Sequence, residues 1–248
     1  GSPVVRGFEA SRVLLMVDGV RMNSAIFRAG HLQNIITVDN MILDRVEIIY
    51  GPSSTLFGSD ALGGVVNLFT KQPQLFKSNL VSKKAPWKTN GNLVYRFGNG
   101  QNEQRQHVDL NIANNRWAFL TSVTKSNFGD MRQGNKRLAA YPDFGKRLFY
   151  VARENNTDVI KDNSAFVNIQ KLSGYNQIDL LQKVLFKPND NTEHLLNVQV
   201  SNSSDINRYD RLTEISKGLP VFSEWYYGPQ VRNMIGYKLT KSNLNGYF

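Results

Sequence analysis

One run of the chain restricts its possible folds more than any other: Asp44-Arg-Val-Glu-Ile-Ile-Tyr-Gly-Pro-Ser-Ser-Thr-Leu-Phe-Gly-Ser-Asp-Ala-Leu-Gly-Gly-Val-Val-Asn67. Val46, Ile48, Ile49 and Tyr50 are strand formers. Gly51-Pro52 stops that strand, because proline supplies no ladder N–H. Ser53-Ser54-Thr55 offers side-chain caps for a single helical turn, and Gly58 is free to take a positive φ. Gly63-Gly64 then lets two backbones approach closely before Val65–Phe69 begins the next strand. The run therefore predicts strand, break, tight turn and strand in a β-rich unit. Asp44 and Glu47, three apart on an extended segment, point to opposite faces and make a poor catalytic pair.

Two further elements precede this run: Val5-Arg-Gly-Phe8, and the apolar Val13-Leu-Leu-Met-Val-Asp-Gly-Val20, whose Asp18-Gly19 reads as a turn. Together, over roughly residues 3–72, they closely resemble the plug domain of TonB-dependent outer-membrane receptors. The motif positions are Arg6, Gly7, Phe8, Asp18, Gly19, Arg45, Glu47, Gly51, Pro52, Gly58, Gly63 and Gly64. One departure is Tyr50, where the family often has Arg before the Gly-Pro, so that Arg's ion pair with a barrel wall does not carry over. The resemblance implies residence in the bacterial outer membrane, contact with its lipid, and TonB-dependent import of a large, scarce nutrient. It implies neither enzymatic chemistry nor a cofactor. TonB would be a partner through a motif lying before residue 1. The Gly-Pro-Ser-Ser-Thr-Leu-Phe-Gly-Ser form is similar to receptors for iron–siderophores, haem or haem-carrying proteins, and the Asn-rich character to receptors of the Bacteroidetes type. The alternatives are a SusC-like glycan or peptide importer, or a surface adhesin that binds without transport. SusC-type importers usually carry a Lys-Asp-Ala-Ser-Ala-like run at this place, which is absent here.

Composition removes other classes. No stretch approaches the roughly 20 apolar residues of a membrane helix, but a barrel strand needs only about 10, apolar on one face. There is no cysteine, hence no disulfide or thiolate metal site, and the three histidines lack metal-ligand spacing. The formal net charge of +10 raises a nucleic-acid reading. The basic residues are dispersed, with adjacent pairs only at Lys83-Lys84, Lys136-Arg137 and Lys146-Arg147, and they suit solvated loops, lipid head groups or an anionic ligand better.

Beyond a polar connection the pattern changes to period 2. Leu93, Tyr95 and Phe97 alternate with Asn92, Val94 and Arg96; Val108, Leu110 and Ile112 with His107, Asp109 and Asn111. The same holds for 117–124, for 178–186 (where Gln182 interrupts the apolar face), for 196–201 and for 235–240. Short connections at Asn114-Asn115 and 187–191 fall on one end, and long polar segments at about 127–175 and 204–231 on the other. The first connection, Gly98–Gln104, is short although it falls on the long-loop end. A soluble sandwich has no reason to sort loop lengths by parity, whereas outer-membrane barrels do. The expected architecture is a mixed α/β plug (1–72), a linker (73–89) and antiparallel transmembrane β-barrel strands (90–248). Six strands are far short of the about 22 in plugged transporters, so the chain reads as a fragment of a plugged barrel.

Four plug residues, Asn23, Phe27, Arg28 and His31, sit in what the resemblance makes an apical loop, where they offer ligand contacts or simply pack on the wall. The long segments interleave cations with aromatics, which suits an anionic or planar ligand; Arg132, Arg137, Tyr209 and Trp225 are the candidates. His107, on a polar face, is expected to bond the plug from the lumen.

Overall fold

A computed structural model describes residues 4–8, 12–22, 33–51, 54–76 and 86–242. Asn23, Phe27, Arg28, His31 and Pro52 lie outside these described residues.

The plug is a four-stranded sheet of β1 (Val13–Val17), β2 (Val20–Arg21), β3 (Leu43–Tyr50) and β4 (Gly64–Thr70), in the order β2-β1-β4-β3. β1 runs parallel to β4 and is buried on both faces, so its sequence is continuously apolar rather than alternating. Val13, Leu15 and Val17 pack with Val5, Val66 and Leu68; Leu14 and Met16 pack with Ala61 and Val65 on the other side. Each such side chain stabilises the fold by about 1.5–3 kcal/mol. Asp18-Gly19 takes φ of +49° and +84° and closes the β1–β2 hairpin, the two-residue geometry that Asp-Gly favours. Arg6-Gly7 repeats it at φ +49° and +81°, with Val5 and Phe8 exchanging backbone hydrogen bonds at 2.9 Å.

The short helix α1 (Ser54–Phe57) follows Gly51. Gly58 has the expected positive φ, +85°. A Cβ on Gly63 would lie 2.3 Å from the Phe8 Cβ, and one on Gly64 would lie 2.5 Å from the Ile49 carbonyl oxygen. The Arg-Gly-Phe element and the Gly-Gly pair are thus two halves of one contact. Arg45 bonds Glu47 at 2.7 Å and lies 3.9 Å over the Phe69 ring on the neighbouring strand. At the departure position, Tyr50 is exposed, with Arg6 5.1 Å above its ring.

Six long strands form the wall: β5 (Lys88–Gly98), β6 (Glu103–Ala113), β7 (Trp117–Phe128), β8 (Tyr175–Asn189), β9 (Thr192–Ser203) and β10 (Val231–Lys241). Every neighbouring pair is antiparallel, in the spatial order β10-β9-β8-β7-β6-β5. All six period-2 segments are in this sheet. β5 begins at Lys88, two residues inside the segment read as linker. The turns at 114–116 and 190–191 share one end, while the connections 129–174 and 204–230 share the other. The linker's Phe76 N–H bonds the Asn114 carbonyl at 2.9 Å, which places the plug-to-wall connection at the short-turn end. The long segments carry structure that polarity alone does not reveal, including the hairpin Phe149–Glu154/Thr157–Asp162 and the short helix α2 (Tyr209–Leu212).

The wall is inside out relative to a soluble sheet. Leu93 and Ile235 are 83% and 78% exposed, while Lys183, Ser122, Thr124 and Gln199 on the opposite face are 0% exposed. A soluble sandwich would bury the first set, so this face is built to meet lipid. Near the short-turn end the outer face carries an aromatic row: Trp117 stacks on Phe119 at 5.9 Å and Phe186 at 4.1 Å, and His194 continues to Tyr237. Such girdles mark the membrane interface of barrels. Gln182, the interruption in the outer face, is satisfied by Thr121 at 2.6 Å.

Candidate functional site

Two features join the plug to the wall: a polar seam, and a cavity under the long loops. The seam centres on Asp18. Its tight turn aims the carboxylate sideways at the wall, where it accepts from Thr70 N–H (2.9 Å), Thr70 Oγ1 (2.6 Å), Asn197 Nδ2 (2.9 Å) and Gln199 Nε2 (3.0 Å). Lys183 Nζ completes the set at 3.2 Å; its side chain is wholly buried, and its remaining bond is to the Thr70 carbonyl at 3.4 Å. From Gln199 the seam continues to Arg232, whose guanidinium donates to Gln199 Oε1 (2.9 Å) and to the Thr37 carbonyl (3.1 and 3.2 Å). Gln177 donates to the Ile36 carbonyl at 2.9 Å.

A second cluster lies beside β6. Lys71 reaches Asp109 at 2.7 Å, and Asp109 also accepts from Asn92 at 2.9 Å. His107 bonds Thr124 (2.7 Å) and Asp109 (3.1 Å), both on the wall. This corrects the expectation that His107 bonds the plug: it reaches the plug indirectly, through Thr124, whose hydroxyl donates to Asp39, and through Asp109, which Lys71 holds. The reason is register. Thr124 lies directly opposite His107 across the β6–β7 pair, nearer than any plug side chain.

At the long-loop end a cavity of about 240 Å³ opens between Ile36 of the plug and Ile206, Arg208, Tyr209, Tyr227 and Gln230. Arg208 holds Asp210 through two bonds, at 2.8 and 2.5 Å, and donates to Tyr227 Oη at 2.7 Å. The hydrogen bonds from Arg208 keep the Asp210 carboxyl below the usual carboxylate range. Tyr209 donates to Gln170 Oε1, and its ring lies 5.5 Å from the Arg147 guanidinium. Burial raises the Tyr209 phenol and lowers the Arg147 guanidinium from their ordinary values, since each charged form is poorly solvated there.

The four described candidates do not converge. Tyr209 lines this cavity. Arg132 lines a separate recess of about 450 Å³ with Gln133, Asn135 and Asn168. Arg137 is committed to the loop itself, donating to the Phe144 carbonyl at 2.9 Å and to Asn168. Trp225 packs edge-on against Phe222 at 4.5 Å, with Arg211 5.4 Å above it. Sequence reasoning missed Lys183 and Ile36, and gave Arg147 no more weight than the other cations of its loop. A signal existed for Lys183 alone: an ionisable residue in the middle of a wall strand needs a partner.

The TonB-dependent Receptor Plug Domain family matches residues 1–65. Vitamin B12 transporter BtuB of Vibrio vulnificus (strain CMCP6) is 40% identical over 104 residues, 40% of this chain and 16% of that protein. The fold matches that of the copper transporter OprC with a TM-score of 0.61 at 15% identity, covering 98% of this chain and 29% of OprC. It also matches the siderophore receptor PirA of Acinetobacter baumannii with a TM-score of 0.59 at 14% identity, covering 96% of this chain and 31% of PirA. The chain thus spans less than a third of the length of these proteins. The plug motifs and these matches identify residues 1–65 as a TonB-dependent receptor plug domain, and the wall that follows has the fold of the matching parts of OprC and PirA.

Proposed function

We propose that this chain is the plug and adjoining wall of a receptor that imports an iron–siderophore, haem or haem-protein ligand across the outer membrane, with TonB pulling on the plug. The observation that carries this reading is the seam. The plug is held to the wall largely by polar contacts around Asp18, Lys183, Gln199 and Arg232, which a pull can exchange for bonds to water. A continuous apolar interface would resist such exchange. The 129–174 and 204–230 connections face outside and hold ligand over the plug, with Tyr209 at the cavity and Arg132, Arg137 and Trp225 in the surrounding loop layer.

The named relatives carry vitamin B12, copper or siderophores, so the ligand assignment rests on the motif form and on the cationic, aromatic loops rather than on any one relative. The test is growth and uptake of iron supplied as a ferric chelate, as haem or as a haem protein, in cells with and without the full-length receptor and with and without TonB. Uptake of at least one source should require both proteins. Equal uptake in all four strains for every source would refute the proposal.

A further inference from the structure

In the described part of the long-loop layer, cations pair with carboxylates or, like Arg132, Lys136 and Lys217, stand exposed; Arg137 donates to Phe144 and Asn168, and Arg147 at the cavity wall is buried without an ion pair. Arg208 is matched by Asp210, Arg211 by Glu214, Arg153 by Asp158, Lys146 by Asp143, and Lys161 by Glu154. Arg147 is 7% exposed, its Nε has no hydrogen-bond partner, and no carboxylate among the described residues lies within ion-pair distance of it. Its charged head instead faces the ring of Tyr209, a phenol that is neutral near pH 7. A buried cation held only by a ring is an expensive arrangement, because little solvent is present to stabilise the charge.

Tyr209 connects this charge to the cavity: it stands against Arg147 and lines the cavity together with Tyr227, Ile206 and Ile36. The lining itself is balanced, since its one cation, Arg208, is neutralised by its neighbour Asp210. The cavity therefore combines two phenols, two aliphatic side chains, the amides of Asn207 and Gln230 and the neutral Arg208–Asp210 pair, with one unneutralised positive charge behind Tyr209. In a wall of low dielectric that charge acts over several ångströms.

We propose that this cavity is a subsite for an anionic group on a planar, largely apolar body, such as an aromatic carboxylate or a comparable moiety of a larger ligand, and that Arg147 supplies its counter-charge. This inference rests on the import reading for its biological meaning, but the site itself is testable without transport. Because Ile36 belongs to the plug and the other lining residues to the loop and wall, occupancy of the subsite also bridges the two parts.

The experiment uses the full-length receptor purified in detergent, with benzoate and benzamide as probes, the same ring with and without charge. Binding is followed by saturation-transfer NMR and calorimetry at low and high salt. The wild-type receptor should prefer benzoate by about tenfold at low salt, and the preference should shrink as salt rises. Arg147→Gln should abolish the preference while leaving benzamide binding in place, and Arg147→Lys should retain part of it. Equal affinity of the two probes for the wild-type protein would overturn the proposal, as would an Arg147→Gln variant that keeps the preference. If the variants fail to fold, hydrogen exchange on the wild-type receptor decides. Benzoate, and not benzamide, should then protect segments 145–148 and 206–212; protection elsewhere or none refutes the site. None of these measurements involves TonB. A failed probe test therefore leaves the import reading intact, and failed uptake leaves the subsite intact.

Discussion

Removing the Asp18 carboxylate should loosen the plug far more than removing its cationic partner. Asp18→Ala leaves the ammonium of Lys183 wholly buried, with only the Thr70 carbonyl at 3.4 Å, and strips an acceptor from Thr70, Asn197 and Gln199. Breaking a buried pair in this direction costs about 3–5 kcal/mol. Lys183→Met keeps most of the side-chain volume, and Asp18 still accepts from the Thr70 amide and hydroxyl, Asn197 and Gln199. That loss should be only about 1–2 kcal/mol, near the net worth of one charged hydrogen bond. In the double variant no charge is left unpaired, so it should be more stable than Asp18→Ala alone, with a coupling above about 1 kcal/mol. The assay is urea release of the plug in the detergent-solubilised full-length receptor. A spin label introduced through Val20→Cys reports it, since Val20 is exposed and this chain has no other cysteine. Equal destabilisation by the two single variants, or additive effects in the double, would show that Asp18 and Lys183 are not an energetic unit.

Gly63→Val and Gly64→Val should each cost a few kcal/mol, because the new Cβ meets Phe8 at 2.3 Å or the Ile49 carbonyl at 2.5 Å; wild-type surface levels and uptake in both would contradict this. Gly58→Val should be similarly unfavourable, since φ is +85° and the Arg21 guanidinium lies 2.8 Å from the new atom, and thermal melts of the receptor measure it. Epitope tags inserted near residue 140 or 217 should be reached by antibody on intact cells, whereas a tag at Asn115 should not; surface exposure at Asn115 means the topology is inverted. The 248-residue polypeptide expressed alone should not insert cooperatively into lipid vesicles, because β5 and β10 each present an unpaired edge among the described residues; a heat-modifiable, vesicle-inserted fold would refute that.

Much of the architecture was legible in the chain because it is written in local rules. Period-2 alternation placed all six wall strands, since strand side chains alternate between faces whatever lies beyond them. Asp18-Gly19, Gly58 and Gly63-Gly64 announced their turns and close approaches through the few conformations only such residues adopt. Alternation did not say which face would be buried; plug packing and the exposed apolar face settled that. What depended on residues distant in sequence stayed invisible. Asp18 and Lys183 meet across 165 positions, and nothing local to either marks the other as its partner. His107 looked like a plug contact until register set Thr124 opposite it. Arg147 was one basic residue in a basic loop; only folding buried it against Tyr209, away from every described carboxylate. Composition states how many charges a loop carries, but their pairing is decided by distances that exist only once the loop has folded.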